Sequence, residues 1–464
     1  MDPILILLLG TVFTFAGVAL GIVTGLLPGI HVNTVSFLLL SSQASIMGMV
    51  LGITHVFSPT VNILLAFVSM IIIGCSVSHT FLNFIPSTYL GVPEGDTALS
   101  VLPAHRMTLS GRGYEAVKAS AVGSLYAVFI SLALILPAMF LIGTVYDPVM
   151  TVFPYILLGI VIMLIMSEGK GLTDIKPKLL GLGIFLLAGL FGIILLLSSN
   201  LYNMFWAPIG TTGVSPVSAM FFPLFSGLFG TSNLIISLMD SVSIPEQDVD
   251  DVKILLPVKN TLRGSFTGTM AGALVGVLPG ITAASATAVT NVGLDDGEEG
   301  QREYIVSVSA VDTSCAFFTM IALFVIMRAR SGAMDAVMQL NQGFIDPWII
   351  WYDLPVLFAI LTFSVTVSAL AAYILTIRMG KFFSTVHHKI DYTKLSLGII
   401  LMIVVLTIIM TGPLGMVVLL VTTCIGMIPP LTGARRVHLM GCLIVPIFIY
   451  YFQLEWFVRG VLGL

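Results

Sequence analysis

The chain has 464 residues, of which 57% are hydrophobic and only 9% are charged, and its formal net charge is −4. Soluble proteins carry about 25% charged residues, so these few charges could not cover a surface exposed to water. The composition excludes a soluble globular protein, and the lack of a basic patch excludes a nucleic-acid partner. Recurring apolar runs, long enough to cross about 30 Å of hydrocarbon, predict an all-α polytopic protein of the cell membrane.

The first half of the chain, 1–239, is predicted to form a first membrane repeat. Its opening helix, 4–26, ends at Pro28 and Gly29, because proline removes a main-chain donor and glycine admits unusual dihedral angles. The apolar piece that follows, 34–51, is short for a full span, as a re-entrant half-helix would be. Further helices are predicted at 62–84, 119–143, 150–167, 179–198 and 217–239, with polar loops at 105–118 and 144–149.

A charged loop, 240–263, separates this repeat from a second one, 264–464. The second repeat also opens with a helix, 264–279, that ends at a Pro-Gly pair, Pro279 and Gly280. A short apolar piece, 282–293, and a charged turn come next along the chain. Further helices are predicted at 303–327, 350–377, 395–411, 413–428 and 437–458.

The two opening helices carry the same glycine pattern. In each of them glycine recurs at every fourth position up to a Leu-Pro-Gly-Ile sequence, which ends at Ile30 or Ile281. With a shift of 251 positions, seven of the fourteen residues from Gly17 to Ile30 are identical. Such glycines let helix backbones pack closely, a role that we assign to Gly17, Gly21, Gly268 and Gly272. The Pro-Gly pairs differ, because a helix break in hydrocarbon must be buried in protein or line a wet cavity.

The distribution of Lys and Arg predicts that the two copies run in opposite directions. No Lys or Arg precedes Arg106, whereas Lys253, Lys259 and Arg263 lie just before the second glycine helix. By the positive-inside rule the basic loops are cytoplasmic, so the N-terminus is predicted outside and the second glycine helix begins inside. Two inverted-topology repeats with broken or re-entrant helices that meet near the midplane are typical of secondary transporters.

The residues at each break form the candidate site for substrate and ion. A half-helix that begins at a break presents free N–H groups and a positive dipole end, which suits an anion, while unwound carbonyls suit Na⁺. Each polar side chain there can cap a helix or bind a ligand, and His31 is expected to form a structural hydrogen bond. The candidates are Pro28, Gly29, His31, Asn33 and Thr34 in the first copy, and Pro279, Gly280, Thr282, Ser285 and Thr287 in the second.

Ionisable residues within predicted spans are further candidates, because charge in hydrocarbon is costly. His79 and Asp312 lie on the first full helix after each break, which suggests that they are equivalent, although their spacing from the Pro-Gly pair differs. Asp312, with Thr313 beside it, is interpreted as a cation ligand or a proton carrier, and Asn83 and Ser87 add polarity after His79. No Cys or His spacing is typical of a metal site, so no cofactor is predicted beyond a coupling ion. That ion is H⁺, or Na⁺ bound near Asn33, Thr34, Ser285 and Asp312.

Several stretches resemble the large membrane subunit of the tripartite tricarboxylate transporters, the TctA family. They are a Gly/Pro-rich helix break followed by Asn33 and Thr34, a Pro-Ser-Thr sequence at 86–88, and a Gly-Arg turn at 111–116 that enters an Ala-rich helix. The second Leu-Pro-Gly sequence supports the match, which covers most of the chain and is similar to stand-alone archaeal branches. The loop after Leu90 departs from the family pattern, because it carries two acidic residues, Glu94 and Asp96.

The resemblance implies a non-enzymatic importer of tri- or dicarboxylates such as citrate, driven by an ion gradient. It also implies a small membrane subunit and an extracytoplasmic binding protein as partners, and the sequence leaves a homo-oligomer open. The alternative is a translocase for a polyprenyl phosphate or another anionic lipid carrier, because helix ends suit a phosphate equally well. An intramembrane enzyme is least favoured, since the chain has no HExxH, no GxSxG and no aspartates paired at catalytic spacing.

Overall fold

A computed structural model describes most of the chain, and every regular element in that part is helical. Eight of the described helices are long and apolar enough to cross a membrane, judged by length and composition. The prediction of an all-helical, multi-pass membrane protein is therefore confirmed. The described residues are 2–27, 32–90, 101–166, 168–169, 174–197, 216–240, 245–249, 256–278, 283, 286, 297–386 and 392–462.

The first nine helices follow the apolar runs of the first half. The chain enters the first of them at Pro3, where the Asp2 carboxylate accepts a hydrogen bond from the Ile4 N–H at 2.8 Å and caps the helix. In chain order the helices are α1 (Pro3–Leu26), α2 (Val32–Ser41), α3 (Gln43–Thr54), α4 (Val61–Leu82), α5 (Phe84–Leu90), α6 (Val101–Leu109), α7 (Gly113–Ala133), α8 (Ile135–Met166) and α9 (Ile175–Leu197).

The remaining helices are joined in two places by irregular helical turns, and one of them is kinked. A π-helical turn, Ser226–Thr231, and a 3₁₀ turn, Arg436–Met440, connect helices, and a long helix bends at Gly412, whose φ of 63° suits glycine. The helices are α10 (Pro216–Phe225), α11 (Ser232–Asp240), α12 (Val258–Val277), α13 (Glu298–Ile326), α14 (Gly332–Leu340), α15 (Val356–Val386), α16 (Tyr392–Thr432), α17 (Gly441–Tyr451) and α18 (Glu455–Leu462).

The chain forms two compact units. Unit 1 combines Met1–Thr144 with Ser243–Tyr392, and unit 2 combines Val145–Val242 with Thr393–Leu464. Each unit therefore draws on both halves of the sequence, so contact units and sequence repeats are different divisions of the chain. The division into a first repeat, a charged loop and a second repeat stays a prediction.

The centre of unit 1 is formed by α4, which continues through α5, and by α13. The apolar stretches of these two helices are 83% and 78% buried, compared with 33% for α1. Phe67, Met70, Phe317 and Phe324 from the two helices belong to one buried apolar cluster. Because protein rather than lipid surrounds them, α4 and α13 can carry ionisable side chains such as His79 and Asp312, which α1 lacks.

In unit 2, α9 and α17 pack in direct backbone contact. A Cβ placed on Gly192 would overlap the main-chain carbonyl of Cys442, so only glycine permits this approach. The π-helical turn meets α16 through the hydroxyls of Thr231 and Thr423, which lie 2.7 Å apart. The two buried hydroxyl groups satisfy each other away from water.

Two loops expected from the sequence are helical in the structure, and both predictions are wrong. The stretch 105–118 is occupied by the end of α6, a three-residue turn and the start of α7. The stretch 144–149 lies within α8, which continues through Pro148 and Pro154. Membrane helices tolerate proline because neighbouring helices and polar side chains satisfy the main-chain groups that it frees. In addition, α14 has no counterpart among the predicted helices.

Candidate functional site

Glycines set the distance between α1 and α4. A Cβ placed on Gly17 would overlap the main-chain carbonyl of Ile71, and a Cβ on Gly25 would lie 2.7 Å from Cβ of Leu82. These contacts advance in the same direction along both helices, so α1 and α4 run parallel. The end of α1, where the predicted break begins, therefore lies beside the end of α4.

Helices α12 and α13 repeat this arrangement. A Cβ on Gly272 would overlap Ser314 Oγ, just as a Cβ on Gly21 would overlap Ser78 Oγ. The glycines of the two copies are related by a shift of 251 positions, and the residues that they meet by a shift of 236. The prediction that these glycines serve close helix packing is confirmed in both copies.

The shift of 236 positions identifies which residue of α13 corresponds to each residue of α4. It matches Asp312 with Ser76 and His79 with Cys315. The suggested equivalence of His79 and Asp312 is therefore wrong. The two shifts differ because the connection between the paired helices is shorter in the second copy, which is why spacing from the Pro-Gly pair misled the comparison.

A buried polar contact joins α4 to α13. Asn83 Nδ2 donates a hydrogen bond to Asp312 Oδ2 at 3.3 Å, and the hydroxyls of Thr80 and Thr313 lie 3.5 Å apart. Asn83 is 2% exposed and Asp312 is 7% exposed. The structure thus brings together three residues predicted from the sequence, Asn83, Asp312 and Thr313. Thr80 was missed, although it lies three positions before Asn83 and therefore on the same face of the helix.

His79 contacts a different neighbour, α1. Its Nδ1 lies 3.1 Å from the hydroxyl of Thr24, and both residues are buried. Since His79 and Asn83 are four positions apart, they share one face of α4. This face therefore connects the end of α1, just before the first predicted break, with the carboxylate on α13.

One oxygen atom in this cluster lacks a partner. Asn83 Oδ1 is buried and accepts no hydrogen bond from the described residues. Reversing the amide would turn this oxygen toward the Asp312 carboxylate, so the observed orientation is the better one. A buried acceptor without a donor costs about 1–3 kcal/mol.

The other predicted site residues fall into two groups. Ser87 is buried, and its hydroxyl donates to the main-chain oxygen of Asn83 at 2.9 Å, so it supports the end of α4. Asn33 and Thr34 lie in the first turn of α2, and their side chains are outside the described part. Also outside the described residues are Pro28, Gly29, His31, Pro279, Gly280, Thr282, Ser285 and Thr287.

Comparison with known proteins identifies the family. The family model for the tripartite tricarboxylate transporter TctA family matches residues 11–441, which is most of the chain. The chain belongs to the TctA family. The matched range includes both glycine helices and the Asn83–Asp312 contact, and the sequence-based resemblance is confirmed.

A relative of this TctA-family chain has no assigned role. It is an uncharacterized protein of Methanocaldococcus jannaschii, 27% identical over 457 residues, which cover 96% of this chain and 100% of the relative. No solved structure matches the chain. Family membership makes the protein a multi-pass membrane component of a tricarboxylate transporter.

Sequence analysis missed an ion-pair network at the start of α7 and α13 in this TctA-family chain. Glu115 accepts hydrogen bonds from Arg302 Nε at 2.9 Å and from Arg112 Nε at 3.0 Å. Both arginines also reach Glu298, at 2.9 Å and 3.0 Å. The spacings Arg112-x-x-Glu115 and Glu298-x-x-x-Arg302 are those of helical ion pairs and were available in the sequence. The network fixes α7 to α13 within unit 1.

Unit 2 contains a buried contact between a carboxylate and a histidine that the sequence did not predict. Glu168 Oε1 lies 2.8 Å from His438 Nε2 and accepts a hydrogen bond from the main-chain N–H of Arg435 at 2.8 Å. Glu168 and His438 are 5% and 1% exposed. The two residues are 270 positions apart, so no local pattern indicated the contact. It fixes the segment after α8 to the 3₁₀ turn before α17.

Proposed function

We propose that the chain is an ion-coupled secondary transporter that imports small tri- or dicarboxylates by alternating access. The observation that carries the proposal is the contact between Asn83 and Asp312 in the buried centre of unit 1. It joins the two glycine-packed helix pairs, and a carboxylate within membrane helices is costly, so carboxylates retained there mark ion or substrate pathways. Membership of the TctA family supports carboxylates as the substrates.

Helix directions support the proposed inverted topology. Within each pair the helices run parallel, because Gly264 meets Glu303 and Gly276 meets Phe318 in the second pair, as in the first. The end of α5 and the start of α13 both meet the start of α7. At the end of α5, the Tyr89 ring would lie 2.8 Å from a Cβ placed on Gly113 of α7. At the start of α13, Arg302 contacts Glu115 of α7. The two pairs therefore point in opposite directions, which is the arrangement expected of inverted repeats.

The proposed site separates anion binding from cation binding. Asp312 would repel a carboxylate substrate, so it does not serve as an anion ligand. The substrate binds instead at the two breaks, where α2 begins at Val32 and presents its N–H groups and positive dipole end. Asn33 and Thr34, with Thr282, Ser285 and Thr287 of the second copy, supply neutral hydrogen-bond donors there.

The proposal also includes membrane orientation and partners. The basic loops lie in the cytoplasm and the N-terminus lies outside, because the positive-inside rule sets the orientation of short loops. The family description is tripartite, which supports a small membrane subunit and an extracytoplasmic binding protein as partners. The lipid-carrier alternative gains no support from the family match.

Uptake by the purified protein in proteoliposomes tests the proposed function. We expect saturable accumulation of labelled citrate or a dicarboxylate that depends on an imposed Na⁺ or pH gradient and is lost when the gradient is collapsed. The assay is run with and without the binding protein and small subunit, because a tripartite system requires them. Absence of carboxylate uptake under both conditions, together with binding of polyprenyl phosphate, would establish the lipid-carrier alternative instead.

Two substitutions test the assignment of the breaks. Asn33→Ala and Ser285→Ala should each reduce carboxylate uptake at low substrate concentration by about 10–100-fold, because each removes a hydrogen bond to a charged ligand worth about 1.5–3 kcal/mol. The matched controls are Asn62→Ala and Ser45→Ala, which change exposed residues of unit 1 and should leave uptake unchanged. Normal uptake by both test variants would remove the breaks from the site.

A further inference from the structure

The polar cluster between α4 and α13 contains four buried side chains that carry oxygen atoms. The atoms are the Asp312 carboxylate, Asn83 Oδ1 and the hydroxyls of Thr80 and Thr313, and no side chain of the four is more than 7% exposed. A hydrogen bond of 3.3 Å places Asn83 beside Asp312, and a hydroxyl separation of 3.5 Å places Thr80 beside Thr313, the residue next to Asp312. A set of oxygen ligands from a carboxylate, an amide and two hydroxyls is the chemistry preferred by hard cations.

We propose that Asp312, Asn83, Thr80 and Thr313 bind a single Na⁺ ion. The independent observation is Asn83 Oδ1, a buried acceptor with no donor in the described part of the chain. A cation supplies the positive partner that this oxygen lacks, while Asn83 Nδ2 remains bonded to Asp312. The Na⁺ site itself does not depend on the proposed transport function. Only the coupling role of the bound ion rests on that function.

Charge balance favours a monovalent ion. One carboxylate neutralises one Na⁺, whereas a divalent cation in a buried site would leave a net positive charge that is costly in low dielectric. Among the described residues no group of three or more His, Cys, Asp or Glu side chains could hold a metal ion, which argues against Ca²⁺ and Zn²⁺.

The main chain beside Asn83 offers a further oxygen. Pro86 has no N–H, so the carbonyl of Leu82 loses its donor in the regular helical pattern. The next bond is long, with the Ser87 N–H 3.4 Å from the oxygen of Asn83. Carbonyls freed at a helix interruption are typical Na⁺ ligands in transporters.

The correspondence between α4 and α13 predicts one Na⁺ at this kind of site rather than two. With the shift of 236 positions, Asp312 corresponds to Ser76 and Asn83 to Thr319, while Thr80 corresponds to Ala316. The duplicate of the cluster therefore contains no carboxylate to balance a cation. Binding should follow a single-site curve with about one Na⁺ per chain.

Sodium binding to the purified full-length protein tests the inference without transport. In detergent and choline buffer at constant ionic strength, we expect saturable binding of radioactive Na⁺ and a rise in Tm on adding NaCl, with no equal effect of KCl. Asp312→Asn should abolish both signals. The matched control is Asp335→Asn, which removes a carboxylate from α14 in the same unit and should leave Na⁺ binding intact.

Milder variants keep the test decisive if Asp312→Asn does not fold. Thr313→Val preserves side-chain shape and should weaken Na⁺ affinity about tenfold, as should Asn83→Ser. Sodium binding that is absent from the wild type, or unchanged in all cluster variants, would overturn the site. A Tm that does not respond to Na⁺ would also overturn it, and a pH dependence of the Tm that is lost in Asp312→Asn would assign Asp312 as a proton carrier.

The outcomes separate this inference from the proposed function. Carboxylate uptake driven by a pH gradient, without Na⁺ binding, would overturn the site and leave the transporter intact. Conversely, Na⁺ binding that is lost in Asp312→Asn, in a protein that transports no carboxylate, would support the site and overturn the proposed function.

Discussion

Replacing Glu115 by glutamine is expected to lower the free energy of unfolding by about 3–5 kcal/mol, since it leaves the buried Arg302 with only the exposed Glu298 as an ionic partner. Glu115 is 2% exposed and lies between Arg302, 4% exposed, and Arg112. The Glu115 carboxylate at the start of α7 binds Arg302 at the start of α13, so its loss weakens the central packing of unit 1. Thermal unfolding in detergent, followed by circular dichroism, measures the effect.

Two further variants distinguish charge compensation from simple loss of contact. Glu299→Gln removes an exposed carboxylate next to Glu298 and should change the free energy of unfolding by less than about 0.5 kcal/mol. The double variant Glu115→Leu with Arg302→Met should recover part of the lost stability, because it removes both buried charges. An equal Tm for Glu115→Gln and the wild type would show that the network does not hold α7 to α13.

Alanine at Gly17 or at Gly268 is expected to destabilise the protein by about 1–3 kcal/mol, because the added methyl group forces overpacking. At Gly17 the new Cβ meets the main-chain carbonyl of Ile71, and at Gly268 that of Ser307. Backbone cannot move aside as a flexible side chain can, so each helix pair must separate. Equal losses of Tm at the two positions would match their equivalence under the shift of 251 residues.

The control for this prediction is Gly48→Ala. Gly48 lies within α3, and a Cβ there has no neighbour within 4 Å. Alanine at an unobstructed helical position should leave stability unchanged or raise it by about 0.4–1 kcal/mol. If Gly17→Ala and Gly268→Ala behave like Gly48→Ala, the glycines do not set the helix distances.

The sequence predicted the candidate site in part. Asn83, Asp312 and Thr313 were selected because polar groups in apolar helices are costly, and the structure places them together. Their partners could not be predicted, since Asn83 and Asp312 are 229 positions apart. The two wrong loops arose from local patterns, as with Pro148, which lies inside α8 although proline commonly ends a helix.

By itself the sequence determined that the protein is helical and crosses a membrane, which glycines recur at every fourth position in the two opening helices, and which family the chain resembles. Hydropathy, glycine spacing and motifs are local properties, so they can be read without a fold. Only the tertiary structure decided that Asp312 corresponds to Ser76, that Asn83 Oδ1 has no donor among the described residues, and that Glu115 binds two arginines. These facts depend on how the lengths of intervening segments bring distant helices together, which no local pattern encodes.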